Sequence, residues 1–350
     1  MQYIITYFPE YKKHALKETA EVGGTHVFDI DKAWCVVAGN NFAEKLNKAD
    51  PIFVRHIMPI QIEGETSGNK QTDCATVLAA AQSVFAPKKG ERFSVQCRIL
   101  NSPSSNFKIE YSARDVEIFV GTHFDRAGAV SVFSTSELLA GDEFTVVSIF
   151  VFDGKFFIGV SNVNDNLNAH CDEYRILSRT GREISRAENK LKEVIVKFGL
   201  ELNGEGRALD IGASPGGWTK VLADYGYDVT AVDPGLLKEC LYNHPKITHI
   251  KDRVENVTFE HEFDVVVNDM NIDPQTTAQI MCQIAKLMKP KGTAVVTLKL
   301  PFSDVWRGIN GACGILKQEF AVKTIKNLSH NRREVTVLLE KLNQPTQSQS

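Results

Sequence analysis

The sequence predicts an α/β chain that ends in a mostly parallel, doubly wound sheet of the Rossmann-like kind and opens with smaller α+β units. Three observations carry this. From about residue 184 onward, apolar runs of strand length alternate with amphipathic helical stretches. Such alternation specifies parallel strands joined by crossover helices. A strand candidate ending in Asp210 runs into a glycine-bearing turn and then a helix, as ligand-binding turns of doubly wound folds do. Finally, the first sixty residues order their candidates β-α-β-β-α-β, the split βαβ of a ferredoxin-like unit.

Taken in order, Tyr3–Phe8 reads as a strand and Lys12–Ala20 as a helix that stops before Gly23-Gly24. His26–Ile30 and Ala33–Val37 read as strands, Asn41–Lys48 as a helix ended by Pro51, and Phe53–Ile62 as extended. In the next hundred residues, Ala75–Val84 is a helix, Phe93–Leu100 a strand and Phe107–Val120 a helix. Thr145–Phe152 and Lys155–Val160 flank Asp153-Gly154, the signature of a two-residue hairpin. Ile184–Phe198 places Ile184, Ala187, Leu191, Val194, Ile195 and Phe198 on one helical face. After it, Ala208–Ile211, Asp228–Val232, Phe263–Asn268 and Thr293–Leu300 are strands. Trp218–Tyr225 and Gln275–Met288 are helices, the second ended by Pro290, and Phe320–Lys326 with Glu334–Leu339 close as a hairpin-like pair.

The chain has 350 residues, so two or three domains are expected. Its 43% hydrophobic and 24% charged residues are the usual mix of globular domains. A net charge of −3 gives no global basic field, so any nucleic-acid contact must come from local patches. The seven cysteines are odd in number and none form a Cys-x-x-Cys pair. A disulfide framework and a zinc ribbon are therefore disfavoured, and scattered thiols fit a cytoplasmic protein. No signal peptide and no membrane span is read; the longest apolar stretch, near Val146–Val160, is broken by Asp153-Gly154-Lys155.

The chemistry concentrates after residue 208. In Ala208-Leu-Asp-Ile-Gly-Ala-Ser-Pro-Gly-Gly-Trp-Thr219, glycines stand where backbone must approach a ligand. The spacing is not Gly-x-Gly-x-x-Gly and no Gly-Lys-Ser/Thr follows, so a dinucleotide and a P-loop are both disfavoured. Asp233, at the end of the next strand, stands where a ribose diol is gripped. Asp252, in Ile-Lys-Asp-Arg, is placed to accept from an adenine amino group. Lys299 interrupts the apolar run Val295-Val-Thr-Leu-Lys-Leu300, where an unpaired charge is expensive.

Asp210-Ile-Gly-Ala-Ser-Pro-Gly-Gly-Trp-Thr and the upstream Ser185-Arg-Ala-Glu-Asn-Lys-Leu resemble FtsJ/RrmJ-type ribose methyltransferases. Asn268-Asp-Met-Asn-Ile-Asp-Pro274, Leu298-Lys-Leu-Pro301 and Arg332-Arg-Glu-Val-Thr-Val337 are similar to the RlmM-type large-subunit rRNA 2′-O-methyltransferases. The resemblance covers Ser185–Leu339. It implies a class I methyltransferase domain over residues 184–342, a ferredoxin-like domain over 1–62 and a THUMP-like RNA-binding domain over 63–163. A linker over 164–183 and a disordered tail over 343–350 complete the expected layout. It implies S-adenosylmethionine as cofactor, bound by Asp210, Gly212, Ser214, Pro215, Gly216, Gly217, Trp218, Asp233, Asp252 and Asp269. It implies a catalytic tetrad that falls here on Lys190, Asp269, Lys299 and Glu334. The implied partner is RNA, 23S rRNA or a precursor of the large subunit, with a cytidine as target; no membrane and no metal is implied.

The residues suit such a reaction. A ribose 2′-hydroxyl is a poor nucleophile, and holding it in line with a methyl carbon supplies roughly 7–11 kcal/mol at best. Lys299 is expected to act as the base or to steer the 2′-oxygen. Asp269 is expected to orient it, and Lys190 and Glu334 to complete the charge network. Base-amino methyltransferases carry Asn/Asp-Pro-Pro-aromatic where this chain has Asp269-Met-Asn-Ile, and no cysteine nucleophile stands at that place. The alternatives are a non-catalytic RNA-binding protein that keeps the fold, and a 2′-O-methyltransferase acting on tRNA. Candidate RNA contacts are Lys88, Lys89, Arg92 and Arg98, then Arg179, Arg182 and Arg186, then Arg332 and Arg333.

Overall fold

In the computed structural model, which describes residues 1–100, 107–132, 143–167 and 184–343, the chain divides into two units, Met1–Asp172 and Glu173–Ser350. The expected linker (but for residues 164–167), the expected tail (but for residue 343), Arg179 and Arg182 lie outside the described residues.

The first unit holds two sheets. β1 (Gln2–Thr6), α1 (Lys12–Glu21), β2 (Thr25–Asp31), β3 (Trp34–Ala38), α2 (Phe42–Ala49) and β4 (His56–Ile60) follow the β-α-β-β-α-β run. Their strands form an antiparallel sheet in the order β2-β3-β1-β4. The second sheet comprises β5 (Ile62–Glu65), β6 (Arg92–Leu100), β7 (Val130–Ser131), β8 (Thr145–Phe152) and β9 (Lys155–Asn162), in the order β5-β9-β8-β6-β7. β8 and β9 turn on Asp153 and Gly154, whose φ values of 46° and 80° are those of a type I′ turn.

Two helices of this unit start elsewhere than expected, and capping explains both. α3 (Lys70–Val84) begins five residues earlier than the apolar pattern suggests, because Asn69 accepts from the N–H groups of Gln71 and Thr72. α4 (Ala113–Arg126) begins six residues later than Phe107. Its start is a capping box: Ser112 accepts from the Asp115 N–H, and the Asp115 carboxylate accepts from the Ser112 N–H at 2.8 Å.

The second unit is built on one seven-stranded sheet. In chain order its elements are α5 (Arg186–Lys197), β10 (Arg207–Ile211), α6 (Gly217–Asp224), β11 (Asp228–Val232), β12 (Ile247–Ile250), β13 (Phe263–Asn268), α7 (Pro274–Ile284), β14 (Met288–Lys299), α8 (Val305–Leu316), β15 (Phe320–Lys326) and β16 (Glu334–Lys341). The strand order is β12-β11-β10-β13-β14-β16-β15. Every neighbouring pair is parallel except those of β16, which runs against both β14 and β15. The chain starts at the centre with β10, winds outward through β11 and β12, then returns to β13 on the other side. The switch point lies between β10 and β13, where this architecture opens a crevice at the carboxyl ends of the strands. This is the doubly wound α/β fold class expected from the sequence.

The expected face of α5 is buried: Leu191, Val194 and Ile195 join Trp218, Val221 and Leu222 of α6 and Val265, Val267 and Val295 of the sheet. Each such side chain contributes about 1.5–3 kcal/mol by leaving water. α7 ends at Ile284 rather than Met288, which already belongs to β14; Pro290 lies within that strand instead of stopping the helix. α8 was not expected at all. Among the described residues, no helix is long and apolar enough to cross a membrane.

Candidate active site

Three carboxylates stand at or just beyond the ends of adjacent parallel strands: Asp210 on β10, Asp233 after β11 and Asp252 after β12. Asp210 is only 1% exposed and accepts from the Thr219 hydroxyl at 2.6 Å. Burial pushes its carboxyl up to about 7, against the opposing pull of the Thr219 hydrogen bonds. Asp233 accepts from the N–H groups of Gly235 and Ser214 at 2.6 and 3.1 Å, so it ties the turn after β10 to the turn after β11. Asp252 is exposed and accepts from the Arg253 N–H and the Asn256 amide; those bonds hold it below the usual carboxylate range.

The turn between β10 and α6 explains its own sequence. Gly212 has φ 75°, and a Cβ there would lie 2.6 Å from the Met270 side chain. Gly217 is held by packing: a Cβ would stand 2.4 Å from the Ser185 hydroxyl and 3.0 Å from the Glu188 nitrogen. The start of α5 therefore docks directly on backbone. Ser214-Pro215 is a cis peptide, and the Ser214 hydroxyl donates to the Leu236 carbonyl at 2.9 Å. Gly216, with φ 105°, caps α6 without a side-chain hydrogen bond, and a Cβ there would stand 2.3 Å from the Leu241 side chain, so the turn packs against the segment after β11. Trp218 is 2% exposed and donates to the Ala187 carbonyl at 2.6 Å, so its place is in the core between α5 and α6.

Across the switch point, four charged side chains close into a ring. Lys190 on α5 contacts both Asp269 oxygens, at 2.8 and 2.9 Å, and Glu334 Oε1 at 2.6 Å. Lys299, the last residue of β14, binds Glu334 Oε2 and lies 3.4 Å from Asp269 Oδ1. Lys299 and Glu334 are directly paired across β14 and β16, so the sheet register itself sets one side of the ring. Two ammonium groups and two carboxylates balance to zero, which is what makes their burial tolerable. Burial pulls the Lys299 ammonium down, but Asp269 and Glu334 together outweigh it and hold it above the ordinary lysine value. Burial pushes Glu334 up, and Lys190 and Lys299 outweigh that and hold it low. Lys299 is the most open of the four: its side chain is 22% exposed, against 8% for Lys190, 7% for Glu334 and 15% for Asp269.

The structure thus brings together all four residues that the sequence singled out. Sequence reasoning missed their supports. The Thr297 hydroxyl donates to Asp269 at 2.6 Å; it sits two residues before Lys299, hence on the same face of β14. Glu193, one turn after Lys190, accepts from the N–H groups of Ser329 and His330 and from the His330 ring. That grip fixes the loop whose Asn331 donates to Glu334 at 3.3 Å. The spacing Lys190–Glu193 and Thr297–Lys299 was the available signal.

The residues around the turn fit an adenosyl amino acid. The buried acid of Asp210 suits neighbouring positive charge, and Asp233 and Asp252 offer acceptors for hydroxyl and amino donors. Among the described residues, His26, Asp29 and Cys35 in the other unit place metal-ligand atoms within 4.8 Å of one another, but Asp29 is already paired with Lys12 and His26. Of the expected RNA contacts, Lys88, Lys89 and Arg332 are exposed, while Arg98 is half-buried over the Trp34 ring.

Residues 184–302 match the family described as FtsJ-like methyltransferase. An uncharacterized protein of Methanocaldococcus jannaschii is 34% identical over 169 residues, covering 46% of this chain and 48% of that one. The ribosomal RNA large subunit methyltransferase M of Alteromonas mediterranea is 32% identical over 172 residues, 44% of this chain and 46% of that one. The chain thus matches about half the length of these curated relatives. Among solved structures, TrmN from Thermus thermophilus aligns over 98% of this chain and 100% of that one at 14% identity, with a TM-score of 0.38.

Proposed function

We propose that this chain, which carries an FtsJ-like methyltransferase domain in its C-terminal unit, methylates a ribose 2′-hydroxyl of RNA, with large-subunit ribosomal RNA as the substrate. The observation that carries the reading is the Lys190–Asp269–Lys299–Glu334 ring beside the turn that follows β10. The resemblance of the C-terminal half to rRNA methyltransferases supports the choice of RNA. The N-terminal unit, with exposed Lys88 and Lys89, is proposed to hold the RNA, in the manner of ferredoxin-like and THUMP-like domains, and the protein to work in the cytoplasm.

S-adenosylmethionine supplies a methyl group made electrophilic by its sulfonium sulfur. Asp210, Gly212, Ser214, Pro215, Gly216 and Gly217 shape the floor on which it rests, with Trp218 packed beneath. Asp233 and Asp252 would accept from its ribose and adenine donors, and Asp269 would stand on the side of the reacting centre. Lys299, the most exposed member of the ring, reaches the substrate. It stands as an ammonium at neutral pH, so it binds the 2′-oxygen and stabilises the negative charge that grows there as the proton departs to water. Asp269 and Glu334 fix the direction of Lys299, and Lys190 keeps the two carboxylates from repelling each other apart. The sulfonium methyl would pass to the 2′-oxygen as its carbon–sulfur bond opens, giving a methyl ether, a neutral thioether and one proton, with Lys299 stabilising the oxygen's charge.

The test is transfer of tritiated methyl from S-adenosylmethionine to total RNA of a strain that lacks this gene, followed by mapping. Label at an alkali-resistant linkage in large-subunit rRNA supports the reading. Label on a base, or none on any RNA, overturns it. Lys299→Ala is expected to reduce transfer about 10²–10³-fold while cofactor and RNA affinity stay within a few-fold.

A further inference from the structure

Phe302 is 91% exposed, more than any other large hydrophobic side chain among the described residues. It is not a stray surface ring. The Arg333 guanidinium lies over it, 3.1 Å from the ring centroid. Phe302 follows Lys299 by three residues and Arg333 directly precedes Glu334, so the two flank the paired ends of β14 and β16. The ladder continues past that pair, with the Leu300 N–H donating to the Arg333 carbonyl at 2.8 Å. Leu300 is buried and Pro301 follows, so the segment leading to Phe302 is short and stiff. At no more than about 3.3 Å per residue, the Phe302 backbone stands within about 10 Å of the Lys299 backbone.

One face of the ring is covered by a planar cation and the rest is open to water. An aromatic–guanidinium pair with a free face stacks unpaired nucleobases, because every base offers a π-face whatever its sequence. A peptide partner would call for an apolar surround; the neighbours of Phe302 in sequence are Pro301, Ser303 and Asp304. We propose that Phe302, backed by Arg333, is the stacking platform for an unpaired nucleobase at the target nucleotide, holding it while its ribose lies at Lys299. The platform rests on the ribose-methylation reading. It adds that the target must be single-stranded or extruded from a helix, and that a base-positioning contact lies outside the charged ring.

Two probes test it with the full chain: a nine-nucleotide oligocytidylate, and an abasic ribose-phosphate chain of the same length and charge. Phe302→Ala is expected to raise the Kd for the oligocytidylate about 5- to 150-fold, the equivalent of the 1–3 kcal/mol typical of one stacked base. Its affinity for the abasic chain is expected to stay as in wild type, and Phe302→Trp is expected to restore tight binding with its emission quenched by oligocytidylate alone. On ribosomal RNA, Phe302→Ala is expected to raise KM more than it lowers kcat, with cofactor affinity unchanged. Equal binding of both probes by wild type and Phe302→Ala overturns the platform, as does a wild-type chain that binds neither probe. If that same preparation methylates ribosomal RNA, only the platform falls; if it does not, the methyltransferase reading falls with it.

Discussion

Replacing Lys190 by Met should strip the charged ring of half its positive charge and cost more stability than any surface ion pair. Lys190 lies 2.8 Å from Asp269 and 2.6 Å from Glu334. Each contact is worth about 6 kcal/mol of attraction at an effective dielectric of about 20. Desolvation of the ammonium and of both carboxylates takes back several kcal/mol per ion, and Lys299 still binds both acids in the variant. Breaking a buried pair leaves a net loss of about 3–5 kcal/mol. The loss must depend on pH. Glu334 is held below the usual glutamate value of about 4.5, so its contribution is present above that value and fades as pH falls through the lowered one. The difference between wild type and Lys190→Met should therefore be full at pH 7.5 and shrink below pH 4.5. Urea unfolding of the C-terminal unit, followed through Trp218 and Trp306, should show a midpoint lower by roughly 1–3 M at pH 7.5. Adding Glu334→Gln to Lys190→Met restores neutrality and should recover part of the loss, a coupling that a double-mutant cycle isolates. A loss under about 1 kcal/mol, or an equal loss at pH 4 and 7.5, would refute the view of the ring as a balanced ionic cluster.

Two further outcomes follow from the turn after β10. Since the Asp210 carboxyl is pushed up to about 7, a nearby cation favours its ionised form. S-adenosylmethionine affinity should then rise with pH, by no more than about tenfold per unit, and level off above 7; calorimetry at pH 6 and 8 should show the rise, and Asp210→Asn should flatten it. Gly217→Ala would put a methyl 2.4 Å from the Ser185 hydroxyl and 3.0 Å from the Glu188 nitrogen, so it should cost about 1–3 kcal/mol, read as a lower Tm together with weaker cofactor binding; an unchanged Tm would show that α5 yields freely.

Much of the second unit was legible because its signals are local and strong. The strand runs around Asp210 and Val266 are short, apolar and bounded by polar turns, and a buried parallel strand leaves that mark. Lys299 announced itself as a charge inside such a run. Helix boundaries were harder, because side-chain caps override apolar periodicity: Asn69 and Ser112 set the starts of α3 and α4. α8 escaped notice because Gly308, Gly311 and Gly314 disguise it as a loop. Two of those glycines serve close packing instead: a Cβ on Gly308 would stand 2.7 Å from Pro301, and one on Gly311 2.7 Å from Gln275. Each glycine costs about 1 kcal/mol of helix propensity, and the helix forms because Asp304 caps it and α7 receives it. The ring of four was found residue by residue, but its grip through Glu193 was not. That contact joins positions 136 and 137 residues apart, a distance over which sequence periodicity carries no information.

The antiparallel placement of β16 also orders the assembly of the site in time. A chain grows from its N-terminus, so Lys190, Asp269 and Lys299 all exist before Glu334 does. Any sheet formed without β16 would set two ammonium groups against one carboxylate, a surplus of positive charge. β15 and β16 are neighbours in sequence and can pair as a hairpin on their own. When that hairpin docks, β16 meets β14 with β15 already paired on its other edge, and brings the missing negative charge opposite Lys299. The last strand thus acts as a latch: the pairing that completes the sheet is the same pairing that neutralises the site.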